Sequence, residues 1–307
     1  MSLASALIVP GLFAIGAYLV LVSGGIDVSF PALASLSVYV STVFLINLGY
    51  EGGAWLAFVV AIIVGALLGA FNGLFVGVFR LPTLIVTLGT TNVFRGFMQG
   101  ALDSVQWATI PKGMEAFGTT ALFTARNPVT GLAARMPAGF LIFLAILILV
   151  SLMIRFTMFG RSIYAIGGAE ASAVRAGYNV VRTKVLIYVI VGVIASVAAV
   201  IRVSMMQQLH PTNMLGMELR VIAGVVLGGI SITGGKGTLF GAMVGTTLMV
   251  VVVNSMILLG IPTSWRSVFT GALIIIGTGI SARQLVDQYR GKKPLFGKRR
   301  VAEGGAG

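Results

Sequence analysis

Uncharged, mainly apolar runs lie at about 5–22, 31–48, 54–79, 137–154, 185–201 and 238–260. Each approaches the roughly 20 residues that a helix needs to cross the hydrocarbon core of a bilayer. Two stretches are less regular. Residues 83–102 are apolar but carry Thr87, Thr90, Thr91, Asn92, Arg95 and Gln99, and residues 221–233 form a short apolar run between Arg220 and Gly234. A last segment, about 262–281, carries Arg266 near its start. This pattern predicts an all-α fold, a polytopic membrane helix bundle with about eight to ten membrane segments, some broken or re-entrant.

Composition points the same way. Of 307 residues, 57% are hydrophobic and only 9% are charged, against about a quarter charged in a soluble domain. The 41 glycines suit helices that pack closely in lipid. No cleavable signal is evident. Cysteine is absent, which excludes disulfides, thiolate metal sites and a cysteine nucleophile.

The formal net charge of +13 does not imply nucleic acid, because no soluble module is present to carry it. The basic residues instead set orientation, since membrane proteins keep Lys and Arg in their cytoplasmic loops. One cluster is the 155–184 loop, with Arg155, Arg161, Arg175, Arg182 and Lys184. The other is the tail, from Arg283 through Arg290, Lys292, Lys293 and Lys298 to Arg300. Both are expected in the cytoplasm, and four crossings between them close the count. Residues 1–282 then form the permeating bundle and 283–307 a basic cytoplasmic tail. The 103–136 loop, which holds Asp103, Trp107, Lys112, Glu115, Arg126 and Arg135, is expected as an external cap. Working backwards places the N-terminus outside, which suggests that one further N-terminal span belongs to the fold.

Candidate chemistry is sparse. There are eight acidic residues and one histidine, His210. No paired carboxylates share a helix face and no His cluster could hold a metal, so neither catalysis nor a metal site is expected. The Gly234-Gly235-Lys236-Gly237-Thr238 stretch fails as a phosphate-binding loop. Gly237 follows the lysine where Ser or Thr is needed, and Ile230 stands where the first glycine belongs. Polar groups inside spans are more informative. Arg95, with Thr87, Thr91 and Asn92 on the same segment, either lines a water-filled path or snorkels to an interface. Asn72 and Asn254 are pathway groups or interhelical hydrogen bonds. In the 155–184 loop, Ala169–Ala176 is expected to form two helical turns, with Glu170 and Arg175 placed to suit the dipole.

These stretches resemble the permease subunits of ribose-type ABC importers for simple sugars, a family that includes autoinducer-2 permeases. Four carry the likeness. Ser23-Gly24-Gly25-Ile26-Asp27-Val28-Ser29 resembles the family's Gly-Gly-Ile-Asp-Leu-Ser signature. Leu81-Pro82-Thr83 through Thr87-Leu88-Gly89-Thr90 resembles its Pro-to-Thr-Leu-Gly segment. Gly160-Arg161-Ser162-Ile163-Tyr164-Ala165-Ile166-Gly167-Gly168 resembles the entry to its coupling helix, and Gly228-Gly229-Ile230-Ser231 with Gly234–Thr238 resembles its glycine turn. Together they cover roughly residues 20–280.

The resemblance implies a bacterial inner-membrane subunit that pairs with a second permease subunit. It also implies two cytoplasmic ATPase subunits, which use the ATP, and a periplasmic sugar-binding protein that delivers substrate. The chain itself would need no cofactor. Its ATPase-coupling residues would be Gly160, Arg161, Gly167, Gly168, Ala169, Glu170 and Arg175; the family usually has Asn where Ala169 stands. Gly24, Gly25, Asp27, Gly234, Gly235 and Gly237 would be signature turns. The alternatives are a permease for branched-chain amino acids or autoinducer-2, and an ion-coupled secondary transporter, which would need titratable groups inside its spans.

Overall fold

The computed structural model describes residues 3–103, 105–126 and 133–262, and scattered positions from 265 to 279. Among the described residues, six helices are long and apolar enough to cross a membrane: α1 (Leu3–Val22), α2 (Phe30–Asn47), α3 (Trp55–Gly73, continued by a π-helical turn at Leu74–Val78), α6 (Gly139–Phe156), α9 (Val180–Met206) and α11 (Leu239–Leu258). They coincide with the six uninterrupted apolar runs. The chain is an all-α polytopic membrane bundle. Helix α4 (Thr83–Gly100) equals them in length but falls short in apolarity, because threonines, Asn92 and Arg95 interrupt it.

The irregular 221–233 stretch folds as a half-helix. Helix α10 (Glu218–Leu227) has ten residues, about 15 Å of rise against a hydrocarbon core of about 30 Å. The non-helical residues 228–238 lead on to α11; Ile230 is fully buried against Gly237, whose added Cβ would stand 2.6 Å from the Ile230 Cδ1, whereas Gly229, Ile232, Thr233 and Lys236 are exposed.

Helix α1 is apolar around its whole circumference and buried from Ile8 to Val22 apart from Pro10, as expected of a helix enclosed by others. It packs against α9, α11, α10 and α6, while α2 and α3 cover the other flank of α9. The α3–α9 seam is the closest in the bundle. Gly65, Gly69, Gly73 and Gly77 recur every four residues and form one flat stripe. A Cβ on Gly65 would lie 2.6 Å from the Gly192 carbonyl oxygen, and one on Gly73 would lie 2.9 Å from the Val185 Cα. Dispersion contact between backbones replaces the hydrophobic drive that lipid does not supply.

Between α4 and α6 lies a cap. It contains α5 (Lys112–Thr119) and a two-stranded antiparallel ribbon, β1 (Ala121–Arg126) and β2 (Ala133–Pro137), with Thr124 opposite Arg135. This ribbon is the one sheet among the described residues. The cap is pinned to one end of the bundle. Tyr39 Oη donates to the Leu102 carbonyl at 3.0 Å, and Trp107 and Leu209 exchange backbone hydrogen bonds of 3.0 Å. At the opposite end lie α7 (Met158–Gly168) and α8 (Glu170–Arg175). The last apolar segment is described only at scattered positions, and the basic tail, 283–307, lies outside the described residues.

Candidate functional site

Three glycine pairs far apart in sequence meet at the end of the bundle opposite the cap. Gly24–Gly25 ends α1, Gly167–Gly168 ends α7, and Gly234–Gly235 lies in the turn before α11. A Cβ on Gly234 would lie 2.6 Å from the Gly24 Cα and 2.8 Å from the Gly167 oxygen. One on Gly235 would lie 2.6 Å from the Gly168 Cα, and one on Gly167 would overlap the Val22 carbonyl and lie 2.6 Å from the Gly235 nitrogen. Gly24, Gly234 and Gly235 hold φ of 86°, 89° and 71°, where a side chain would also strain the backbone. The Gly235 N–H donates to the Val22 carbonyl at 2.8 Å. No side chain stands between the three segments, so a shift of one displaces the others directly.

Two tyrosines brace this junction. Tyr164 of α7 donates to the Gly237 carbonyl at 2.8 Å, and its oxygen is 2.6 Å from the Tyr18 hydroxyl of α1. Since the Tyr164 proton is already committed, Tyr18 donates to Tyr164. In the turn, Gly234 N–H donates to the Ser231 carbonyl and Gly235 N–H to Val22, while the Thr238 hydroxyl caps α11 by accepting from Gly241 N–H at 3.0 Å.

Asp27 lies in the break between α1 and α2 and is buried. One carboxylate oxygen accepts from the Ser29 N–H and the Ser29 hydroxyl, both at 2.7 Å. The Asn72 amide then donates to the Ser29 oxygen at 2.8 Å, which ties α3 to the break. From α4, the Thr83 hydroxyl accepts from Ile26 N–H at 3.2 Å and Thr87 accepts from Val28 N–H at 3.3 Å, whereas Thr91 donates within its own helix to the Thr87 carbonyl at 2.6 Å. These hydroxyls do for residues 24–29 what a helix would do for itself.

Helix α8 projects beyond the junction. Ala169, Glu170, Ala171, Ser172, Val174 and Arg175 are exposed, whereas Ala173 is buried. Glu170 pairs with Lys184 of α9 at 2.7 Å, and Arg175 donates to the Ser172 hydroxyl at 2.9 Å. Gly160 lets the start of α7 pass against Ile154, where a Cβ would overlap its carbonyl. Arg161 is exposed.

Of the residues singled out from sequence, the structure thus gathers Gly24, Gly25, Gly167, Gly168, Gly234 and Gly235 at one point. Asp27 lies in the adjoining break, and Asn72 of α3 and Thr87 of α4 reach it by hydrogen bonds, with Thr91 one turn further along α4. Asn92 and Arg95 lie elsewhere, on the exposed face of α4, and Asn254 borders a cavity at the cap end. Sequence reasoning gave no role to Tyr18, Tyr164 or Arg202, and it read Lys184 and Arg220 only as charges beside apolar runs. Among the described residues, no group of three or more His, Cys, Asp or Glu could hold a metal.

A family model described as branched-chain amino acid transport system / permease component matches residues 1–277. The chain is 31% identical over 281 residues to the ribose import permease of Bacillus subtilis, covering 87% of this chain and 80% of that protein. It is 32% identical over 267 residues to the autoinducer 2 import system permease of Yersinia enterocolitica, covering 87% of this chain and 70% of the relative. The corresponding Yersinia pseudotuberculosis protein is 33% identical over 267 residues. No solved structure matches.

Proposed function

The chain belongs to the branched-chain amino acid transport system / permease component family and, within it, to the ribose-type ABC permeases, and on that premise we propose that it carries a simple sugar of pentose or hexose kind into the cytoplasm. It is a multi-pass inner-membrane transport subunit and not an enzyme. The proposed cycle is alternating access, in which ATP binding by a partner motor favours one state of the bundle over the other.

The glycine junction supports this reading best. Helix α8 offers a short exposed element to a soluble ATPase, and its root at Gly167–Gly168 touches the end of α1 and the turn between α10 and α11 without intervening side chains. A push on α8 therefore reaches the central helix and the half-helix together. Arg80, Arg155, Arg161, Arg175, Arg182, Lys184 and Lys236 lie toward this end, which favours placing it in the cytoplasm. The cap then faces the periplasm, where a sugar-binding protein would dock.

A second permease subunit completes the path in this proposal. Arg95 and Asn92 are exposed on a span-length helix, and a charge in that position needs protein or a wet cavity rather than lipid. Apposed α4 faces would supply both.

The test uses the chain co-purified with its operon-neighbour ATPase in lipid discs, together with the neighbouring binding protein and a panel of pentoses and hexoses. Sugar-dependent stimulation of ATP hydrolysis that disappears when α8 is disrupted is the expected result. Failure of the ATPase to co-purify, or hydrolysis indifferent to every sugar, would refute it.

A further inference from the structure

A cavity of about 220 Å³ opens at the cap end, between the start of α1, the ends of α9 and α11, and the start of α10. An apolar cavity of about 150 Å³ already holds a benzene molecule, so this one has room for a substituted six-membered ring. Among the described residues, two guanidinium groups line it, Arg202 and Arg220, and no carboxylate does. Arg202 is half-buried and held in place, because its Nε and Nη2 both donate to the Asn213 side-chain oxygen, at 3.2 and 2.6 Å. Arg220 makes no ion pair among the described residues, and nearby Glu218 spends one carboxylate oxygen on the Gly216 N–H at 2.9 Å.

Two like charges facing one cavity repel each other unless an anion joins them. The planar fork of arginine matches the oxygens of a carboxylate or a phosphate. The remaining lining suits a polyol. Asn254 commits its amide N–H to the Val250 carbonyl at 2.8 Å, which leaves its oxygen for a ligand hydroxyl. Pro10 has no N–H for the Ala6 carbonyl, so that acceptor is also free of its helical partner. Met205, Met206, Met217 and Met249 complete the wall and offer a soft apolar surface to the C–H face of a ring.

We propose that this cavity is a substrate subsite for a sugar acid, a hydroxylated ring or chain bearing one carboxylate held between Arg202 and Arg220. It deepens and rests on the importer reading, and it narrows the substrate from simple sugars to acidic ones.

The probes are galacturonate and galactose, which differ only in oxidation at one carbon. The full chain, purified in phosphatidylcholine discs, is heated with each at the same concentration and ionic strength. Galacturonate at about ten times its dissociation constant should raise the unfolding temperature by about 2 °C or more, and galactose by less than half as much. R220Q should lose the galacturonate response while keeping its ligand-free unfolding temperature. Equal shifts for the two sugars would overturn the proposal, and so would an R220Q variant that responds fully. Should R220Q fold poorly, the comparison on the unaltered chain decides alone. The same arginines could instead hold an anionic lipid headgroup. In that case phosphatidylglycerol would stabilise the unaltered chain and not R220Q, with no galacturonate response, and the proposal would fall. Stimulation of the assembled complex by neutral sugars alone would overturn this inference and leave the importer reading intact. A galacturonate shift in a chain that never couples to ATP would do the reverse.

Discussion

Gly167 and Gly168 are neighbours in sequence and opposites in packing, which makes them a matched pair for testing the junction. A Cβ on Gly167 would overlap the Val22 carbonyl and crowd the Gly235 nitrogen at 2.6 Å, whereas a Cβ on Gly168 meets nothing within 4 Å. Gly167→Ala must therefore push α7 away from the end of α1 or break the 2.8 Å bond from Gly235 N–H to Val22. Overpacking costs about 1–3 kcal/mol and the lost hydrogen bond about 0.5–1.5 kcal/mol net, so the closed junction loses about 2–4 kcal/mol. Charged to one of two interconverting states, that moves their ratio by about 30- to 1,000-fold. The assay is sugar uptake per ATP hydrolysed in vesicles containing the assembled transporter, with expression and unfolding temperature measured alongside. Gly167→Ala should cut uptake per ATP at least about tenfold, while Gly168→Ala stays within about twofold of the unaltered protein. Normal coupling in the Gly167→Ala protein, or equal damage from the two alanines, would refute the idea that backbone contact transmits the movement.

The tyrosine brace predicts that Tyr164→Phe loses about 1–3 kcal/mol, because the Gly237 carbonyl and the Tyr18 hydroxyl both lose their partner; thermal unfolding in detergent measures it. Asp27→Ala should be destabilising by about 1–3 kcal/mol for each Ser29 donor left unpaired. Asp27→Asn retains an acceptor oxygen and should lose distinctly less in the same measurement. At the cap, the hydrogen bond and charge of the Lys112 ammonium hold Glu51 below the ordinary glutamate range. A depressed carboxylate stabilises above its unfolded pKa and loses that contribution as pH falls through the folded one. Protection of the amides around Lys112 from hydrogen exchange, corrected for the intrinsic rate at each pH, should therefore stay constant from neutral pH down to about 5 and fall only below about 4. High salt should shrink the effect, since both side chains are exposed.

Much of the architecture was legible because lipid imposes a simple rule. An uncharged run near 20 residues has few alternatives to a spanning helix, and all six such runs are helices within a few residues of their expected limits. The short helix of the 155–184 loop was legible too, with α8 at Glu170–Arg175 inside the expected Ala169–Ala176. The meeting of the glycine pairs was not, because periodicity describes one helix at a time and says nothing about which loops share an end. The same blindness hid Tyr18 and Tyr164, which are separated by well over a hundred residues and joined by one hydrogen bond. Thr87 is read from sequence as a path-lining group, and its hydroxyl also accepts from the Val28 N–H in the break at residues 24–29. A broken helix leaves backbone groups that something must satisfy, and sequence does not reveal which neighbour does so. Arg202 escaped notice because the apolar run ends just before it, although the helix continues to Met206.

The energy source is the central claim, and uptake into sealed vesicles tests it most directly. The assembled transporter would be reconstituted with its binding protein outside and ATP or a non-hydrolysable analogue inside. In parallel, the same vesicles without ATP would be given an inward proton or sodium gradient. Accumulation of labelled sugar only with hydrolysable ATP, insensitive to collapse of either gradient, is the predicted result. Accumulation that follows a gradient and ignores ATP would contradict the account at its base.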